Sequence, residues 1–151
     1  MLNQFIIDNY MIKKIKVKNS GVIKLHFFDD FPDGNLVIGE AEKNVPFKIK
    51  RMYFINNLFN RKSHRGLHAH KKLEQIIFCV NGHFTLQLDD GKTKQNILMN
   101  DPYCGIRLGP KLWHHMTKFS SDCVILVLAN DYFKENDYIR DYEKFLKYIK
   151  K

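Results

Sequence analysis

The chain has 151 residues, with 25 Lys and Arg against 16 Asp and Glu, for a formal net charge of +9. That length supports one domain (residues 1–151) with a hydrophobic core of its own, and the three cysteines, Cys79, Cys104 and Cys123, form no close pair, which excludes a disulfide framework and suits a reducing compartment. No apolar run is long enough for a membrane span and residues 1–10 lack the pattern of a signal peptide, so a cytoplasmic protein with no membrane attachment is expected.

Residues 2–8 and 11–17 read as two short strands whose phase slips at Lys13-Lys14. The lysines at 13, 14, 16 and 18 make a solvated strand face. A basic surface of this kind can steer nucleic acid, an acidic membrane or a phosphorylated metabolite; no helix-turn-helix, zinc-finger spacing or RNP-like aromatic pattern supports nucleic acid. Val22 to Phe28 is the next strand, residues 29–35 are a turn, and Leu36 to Ile38 resumes the strand pattern. Phe47 to Ile55 alternates so that Phe47, Ile49, Arg51, Tyr53 and Ile55 share one face. An arginine among apolar residues needs a partner, so this face holds either an ion pair, with Glu40 or Asp89, or a polar cavity.

After a polar loop over 56–64, His68 and His70 stand two apart, so on a strand both rings leave the same face and Ala69 the other. Ile76 to Val80 is a short apolar strand, Asn81-Gly82 a two-residue turn, and His83 to Asp89 an alternating strand, which together read as a hairpin. A second hairpin follows through Asp90-Gly91. Gly105 to Leu108 is a strand between two Pro-containing turns, Trp113 to Met116 leads to Phe119, and residues 122–129 form an apolar strand covered on both sides. Over 138–149 the apolar residues recur at three and four, which predicts one amphipathic helix. Twelve Phe and seven Tyr suit packed sheet faces. About nine or ten short strands and a terminal helix describe an all-β antiparallel sandwich or barrel such as a jelly roll. Inward residues of adjacent strands then bring Arg51, Tyr53, His68 and His70 into one hollow.

His68-x-His70 followed by Gln75 and Gly82 resembles the first motif of the cupins, and Gly105 to Pro110 with His114 and His115 resembles the second. Five ordered blocks are more specific: Asn35-Leu36-Val37, Pro46-Phe47-x-Ile49-Lys50-Arg51-x-Tyr53, Arg65-Gly66-x-His68-Ala69-His70-Lys71, Leu88-Asp89-Asp90-Gly91, and Asp137-Tyr138-Ile139-Arg140-Asp141-Tyr142. They resemble the WxcM-like, FdtA-like dTDP-sugar 3,4-ketoisomerases over about residues 20–149. The resemblance implies a cupin jelly roll, a homodimer, and metal-independent isomerisation of dTDP-4-keto-6-deoxyglucose in making deoxysugars for bacterial surface polysaccharide. It implies His68 and His70 as the catalytic pair and Tyr53 as an active-site tyrosine. Arg51 and Arg65 match family arginines, and their guanidinium forks suit the substrate's diphosphate. Residues 1–20 form an N-terminal extension or extra edge strand.

A metal-binding cupin adds a carboxylate and a third histidine to the His-x-His pair. Here the neutral Gln75 stands in the carboxylate's position and Glu74, one residue away, faces the other side of a strand. His115 has the spacing of a third ligand and keeps a metal reading open; alternatively, one of His114 and His115 packs beside Trp113 and the other is solvated. His26, His64 and His83 read as surface or structural residues.

A ketone moves from C4 to C3 when a base takes the C3 proton and C4 is reprotonated, and a neutral histidine, with a reference pKa of about 6.5, suits that task. His68 and His70 are the candidates, Tyr53 orients the hexose or donates to its C4 oxygen, and Gln75 is a hydrogen-bonding wall. Arg107 is a further diphosphate candidate or a core ion pair. Tyr103 or Trp113 is a candidate to stack on thymine. The competing classes are a cupin epimerase of the same substrates, a metal-dependent cupin enzyme, and a non-enzymatic sugar-nucleotide-binding cupin.

Overall fold

The computed structural model describes residues 14–151. The strand expected over 2–8 and the start of that over 11–17 lie outside the described residues, and 14–17 carry no strand. The elements are β1 (Ser20–Lys24), β2 (His26–Asp29), β3 (Asn35–Ile38), β4 (Arg51–Ile55), β5 (Arg65–His70), β6 (Gln75–Asn81), β7 (Phe84–Asp89), β8 (Lys94–Met99), β9 (Cys104–Leu108), β10 (Trp113–Thr117), β11 (Val124–Ala129), a 3-10 turn at Glu135–Asp137, β12 (Tyr138–Ile139) and helix α1 (Tyr142–Ile149). One antiparallel sheet has the order β1-β9-β6-β11-β4 and the other β12-β5-β10-β7-β8, while β2 and β3 pair only with each other. This is the antiparallel sandwich with one C-terminal helix that the sequence predicts.

Alternation along each strand sorts the side chains. Ile77, Ile106, Leu108, Ile125 and Val127 from the first sheet meet Phe84, Leu86, Leu88, Ile97 and Met116 from the second in one buried layer. Each such fully buried side chain is worth about 1.5–3 kcal/mol over exposure, so this layer fixes how the sheets face one another. A second layer lies behind the first sheet, where Val45 and Phe47 cover Ile76, Phe78 and Leu128. That cover explains why β11 is apolar on both faces.

Four elements differ from the sequence expectation. Residues 22–28 are two strands rather than one: the Leu25 amide bonds the Tyr103 carbonyl, and beyond it the chain leaves the sheet to pair with β3. Strand β4 starts at Arg51, because Phe47 is drawn into the second layer and ladder bonding to β11 begins only with the Lys50 amide and the Ala129 carbonyl. Asn81-Gly82 does not close a hairpin: β6 pairs with β9 and β11, β7 with β8 and β10, so the turn carries the chain between sheets. Gly82 has φ +68°, and a Cβ there would lie 2.9 Å from the Cys123 Cα, so the crossover requires glycine. The Asp90-Gly91 hairpin forms as expected. Finally, the tail is not one helix, since Tyr138–Ile139 pairs with His70 and Ala69 and α1 begins only after Asp141, whose side chain accepts from the Lys144 amide. No helix among the described residues is long and apolar enough to cross a membrane.

Candidate active site

The site begins with a distortion in β5. Gly66 and Leu67 both have positive φ, at +79° and +57°, and the pairing with β10 shifts by a residue between His114 and His115. A Cβ on Gly66 would come within 2.8 Å of the His114 carbonyl oxygen, so only glycine fits. Beyond this bulge the two-residue period resumes. Ala69 packs outward with Trp113 and Ile139, and the rings of His68 and His70 turn toward the first sheet, with centroids 4.9 Å apart and planes at 86°. His114 of β10 completes a group of three, its centroid 4.4 Å from His68 and 6.2 Å from His70.

The first sheet supplies the facing wall. Ladder registers place Arg51, Ala129 and Gln75 side by side in one row and Tyr53, Val127 and Ile77 two residues along. The Tyr53 hydroxyl donates to Gln75 Oε1 at 3.3 Å, and the Gln75 amide nitrogen donates to His114 Nε2 at 3.4 Å. The Arg51 guanidinium lies between the Tyr53 and Phe133 rings, 5.5 and 5.9 Å from their centroids. Tyr138 lies against both paired imidazoles, 4.8 Å from His68 and 4.4 Å from His70, with the Arg140 guanidinium 4.2 Å from its ring centroid. Glu135 holds Arg140 there through two hydrogen bonds of 2.8 and 3.0 Å.

Both paired histidines have one nitrogen anchored. His68 Nδ1 donates to the Gly66 carbonyl at 3.0 Å and His70 Nδ1 donates to Asp137 Oδ2 at 3.1 Å, so in the neutral rings each Nε2 carries a lone pair. His70 Nε2, His114 Nδ1 and Arg51 Nε are buried without hydrogen-bond partners. Buried polar atoms are rarely left so, and the Arg51 charge is near enough to His70 to contribute to its lowered pKa. Burial, and then the neighbouring His70, push His68 down to about 4. Burial also lowers His70, opposed by Asp137, and holds His114 well below the usual range with His68 and His70 adding to the effect. Burial raises the Tyr53 phenol to about 12, helped by Tyr138 and opposed by Arg51. At neutral pH the site therefore holds uncharged imidazoles and a protonated phenol beside a cationic arginine, which suits proton transfer at a carbon next to a ketone on an anionic substrate.

Residues 18–150 match the family model FdtA, WxcM-like, C-terminal. The chain belongs to this family. It is 52% identical over 120 residues, 78% of this chain and 84% of the relative, to a TDP-4-oxo-6-deoxy-alpha-D-glucose-3,4-oxoisomerase of Aneurinibacillus thermoaerophilus. Among solved structures it is similar to the 3,4-ketoisomerase QdtA of Thermoanaerobacterium thermosaccharolyticum, seen as a His-to-Asn variant with TDP-4-keto-6-deoxyglucose, at 36% identity and a TM-score of 0.85, covering 89% of this chain and 96% of that one. It is also similar to the WlaRB TDP-quinovose 3,4-ketoisomerase of Campylobacter jejuni, at 38% identity and a TM-score of 0.81, covering 87% and 99%.

Within this FdtA-family fold, Tyr53, Arg51, His68, His70 and Gln75 come together, and five other residues named from the sequence do not. Arg107 lies on the reverse face of the first sheet, tied to Glu74 by two contacts of 2.9 and 3.0 Å, because Ile106 and Leu108 take the inward positions of β9. That ion pair also turns the Glu74 carboxylate away from the histidines. Trp113 points away from the hollow and packs under α1 against Tyr142 and Phe145. His115 shares that outward side and hydrogen-bonds His64 across 2.7 Å, so of the Trp113-His114-His115 run it is His114 that turns inward. Arg65 is exposed at the first position of β5. Tyr103 packs on Phe27 beside a separate cavity of about 770 Å³ between the β2–β3 hairpin and residues 100–104. Arg51 pairs with neither carboxylate considered for it: Glu40 bonds Lys43, and Asp89 bonds Tyr142 and Lys94.

From the sequence, His114 has only a place in the second cupin motif or a packing role beside Trp113, and Asp137, Tyr138 and Arg140 have no individual role. The last three fall inside the Asp137–Tyr142 block, but a helical reading of that block hides the short β12 pairing that carries Tyr138 over the histidines. His114 was legible only as one of two adjacent rings, and the β5 bulge decides which of them faces in.

Proposed function

We propose that the chain is a sugar 3,4-ketoisomerase that converts dTDP-4-keto-6-deoxyglucose to a dTDP-3-keto-6-deoxyhexose for deoxysugar synthesis. The observation that carries this reading is the pair of imidazoles, each anchored through Nδ1, that present Nε2 to one hollow walled by Tyr53, Gln75 and Arg51. One Nε2 accepts the C3 proton, and the C–H electron pair forms a C3–C4 double bond as the C4 carbonyl becomes an enediolate oxygen. C4 then takes a proton, the C3 hydroxyl gives up its own, and the C4 oxygen is protonated, so the ketone arrives at C3 with no net redox change. His68 and His70 carry these transfers, the Tyr53 hydroxyl turns from Gln75 to donate toward the C4 oxygen, and Arg51 meets the diphosphate. These steps call on no metal: the wall residue in the carboxylate position is the neutral Gln75, already engaged at both ends of its amide.

One cupin unit carries this activity. The three buried free cysteines suit a cytoplasmic setting. A homodimer fits the β2–β3 hairpin, which pairs with neither large sheet and exposes Phe28, Phe31 and Leu36. The reading is tested by NMR of purified protein with dTDP-4-keto-6-deoxyglucose in deuterated water. A carbonyl at C3 and deuterium at C4 support it; a carbonyl still at C4 with inverted neighbours indicates epimerisation, and an unchanged substrate defeats the enzyme reading.

A further inference from the structure

The two paired histidines differ in what stands behind them. A neutral peptide carbonyl, that of Gly66, accepts from His68 Nδ1, whereas a carboxylate, that of Asp137, accepts from His70 Nδ1. Asp137 is itself fixed. Its Oδ1 accepts from the Lys72 amide at 2.9 Å, its Oδ2 also accepts from the Leu73 amide at 3.3 Å, and its own carbonyl accepts from the Lys71 amide at 2.9 Å. The carboxylate is thus clamped onto the turn that follows His70, and its remaining acceptor direction points at the ring. On the far side of that ring Nε2 is buried and unpartnered.

We infer that Asp137 is a positioning residue for the isomerisation: it holds His70 as the Nδ1–H tautomer, keeps the Nε2 lone pair in the hollow, and supports the imidazolium formed when Nε2 accepts a proton. This rests on the ketoisomerase reading. A ring free to change tautomer would present N–H to the substrate for part of the time and be unable to accept there. A carboxylate behind the ring also offsets the burial that otherwise disfavours its charged form. His68 has only a carbonyl in that place, so the two rings are unequal as proton carriers although they leave the same strand face.

Asp137→Asn separates this role from a purely structural one. The Asn oxygen retains the shorter bond to the Lys72 amide, which turns the amide NH2 toward His70 Nδ1 and drives the proton to Nε2. The expected result is a kcat lower by about 10²–10⁴-fold with KM changed less than about threefold. Histidine 15N NMR should report Nδ1 protonated in the native chain and Nε2 protonated in the variant. In a His70→Asn background, Asp137→Asn should add less than about threefold, because a residue acting through His70 has nothing left to act on.

A native kcat in D137N, or equal further losses with and without His70, overturns the inference while leaving the ketoisomerase reading intact. If the native protein fails to turn over the substrate, that reading falls, and the tautomer of His70 in the native chain still decides whether Asp137 sets it. Should D137N not fold, the native 15N spectrum serves alone: an Nε2–H tautomer of His70 overturns the inference.

Discussion

Gln75 and His114 belong to opposite sheets, and the 3.4 Å bond between the Gln75 amide and His114 Nε2 joins β6 to β10 at the polar end of the sandwich. Tyr53 holds the other end of the same amide. Gln75→Leu keeps the volume and strands both partners in a buried setting, at about 1–3 kcal/mol for each unsatisfied group. The expected outcome is a melting temperature lower by several degrees together with a reduced kcat, read by calorimetry and by initial rates. Gln75→Glu is the informative companion, since a carboxylate accepts from Tyr53 and cannot donate to neutral His114.

His68→Asn and His70→Asn should each lower kcat by about 10²–10⁴-fold, the usual weight of a positioned acid or base. Neither ring is assigned to the diphosphate, so the affinity for TDP measured by titration calorimetry should stay within about threefold. A variant that loses TDP binding and turnover together would place the ring in substrate binding instead.

Acid should destabilise the protein well before its carboxylates titrate. His68 sits at about 4 in the fold against 6.5 ordinarily, so between those values the unfolded chain binds a proton that the native chain refuses. Stability then rises with pH across this window: the contribution is complete above about 6.5 and withdrawn as pH falls toward 4, by up to about 3 kcal/mol for His68. His70 and His114 are shifted in the same direction and steepen the loss. Thermal melts from pH 8 to pH 5 should show it, with a shallower slope in His68→Asn.

The antiparallel β sandwich was legible because strand period and turn residues are local signals, and the inward set Arg51, Tyr53, His68 and His70 follows from period two alone. What was not legible depends on distant pairing. The Asn81-Gly82 turn has hairpin chemistry, yet the partners of β6 and β7 lie elsewhere in the chain, so the same turn serves a crossover. Asp137 is 67 residues from His70 and no periodicity links them. Trp113 carries the features of a base-stacking residue, and only the position of α1 makes it a core side chain.

Substitutions at Arg107 and Trp113 check those displaced residues. Arg107→Ala should leave kcat/KM within about twofold and cost no more than about 1 kcal/mol, because the ion pair with Glu74 is solvent-facing, with side chains 30% and 27% exposed. Trp113→Ala should cost about 3–5 kcal/mol through the cavity left under α1, while Trp113→Phe retains most of the stability. For the Trp113→Phe variant, a raised KM without a fall in melting temperature would return the indole to the substrate.

Ala129 tests whether the hollow between the sheets receives the sugar. It stands between Arg51 and Gln75 on the inner face of the first sheet, and it is the one side chain of that row with no functional group to offer. Cross-strand neighbours sit about 5 Å apart at Cβ and Ala129 is fully buried, so a larger residue there would press on the Arg51 and Gln75 side chains that face the imidazoles. Ala129→Leu should raise KM by roughly tenfold or more, equivalent to about 1.4 kcal/mol of lost binding. Overpacking at such a site costs about 1–3 kcal/mol, so the variant should still melt cooperatively, several degrees lower. A folded A129L enzyme with native KM and kcat would mean that the substrate reaches His68 and His70 from the Tyr138 side without entering between the sheets.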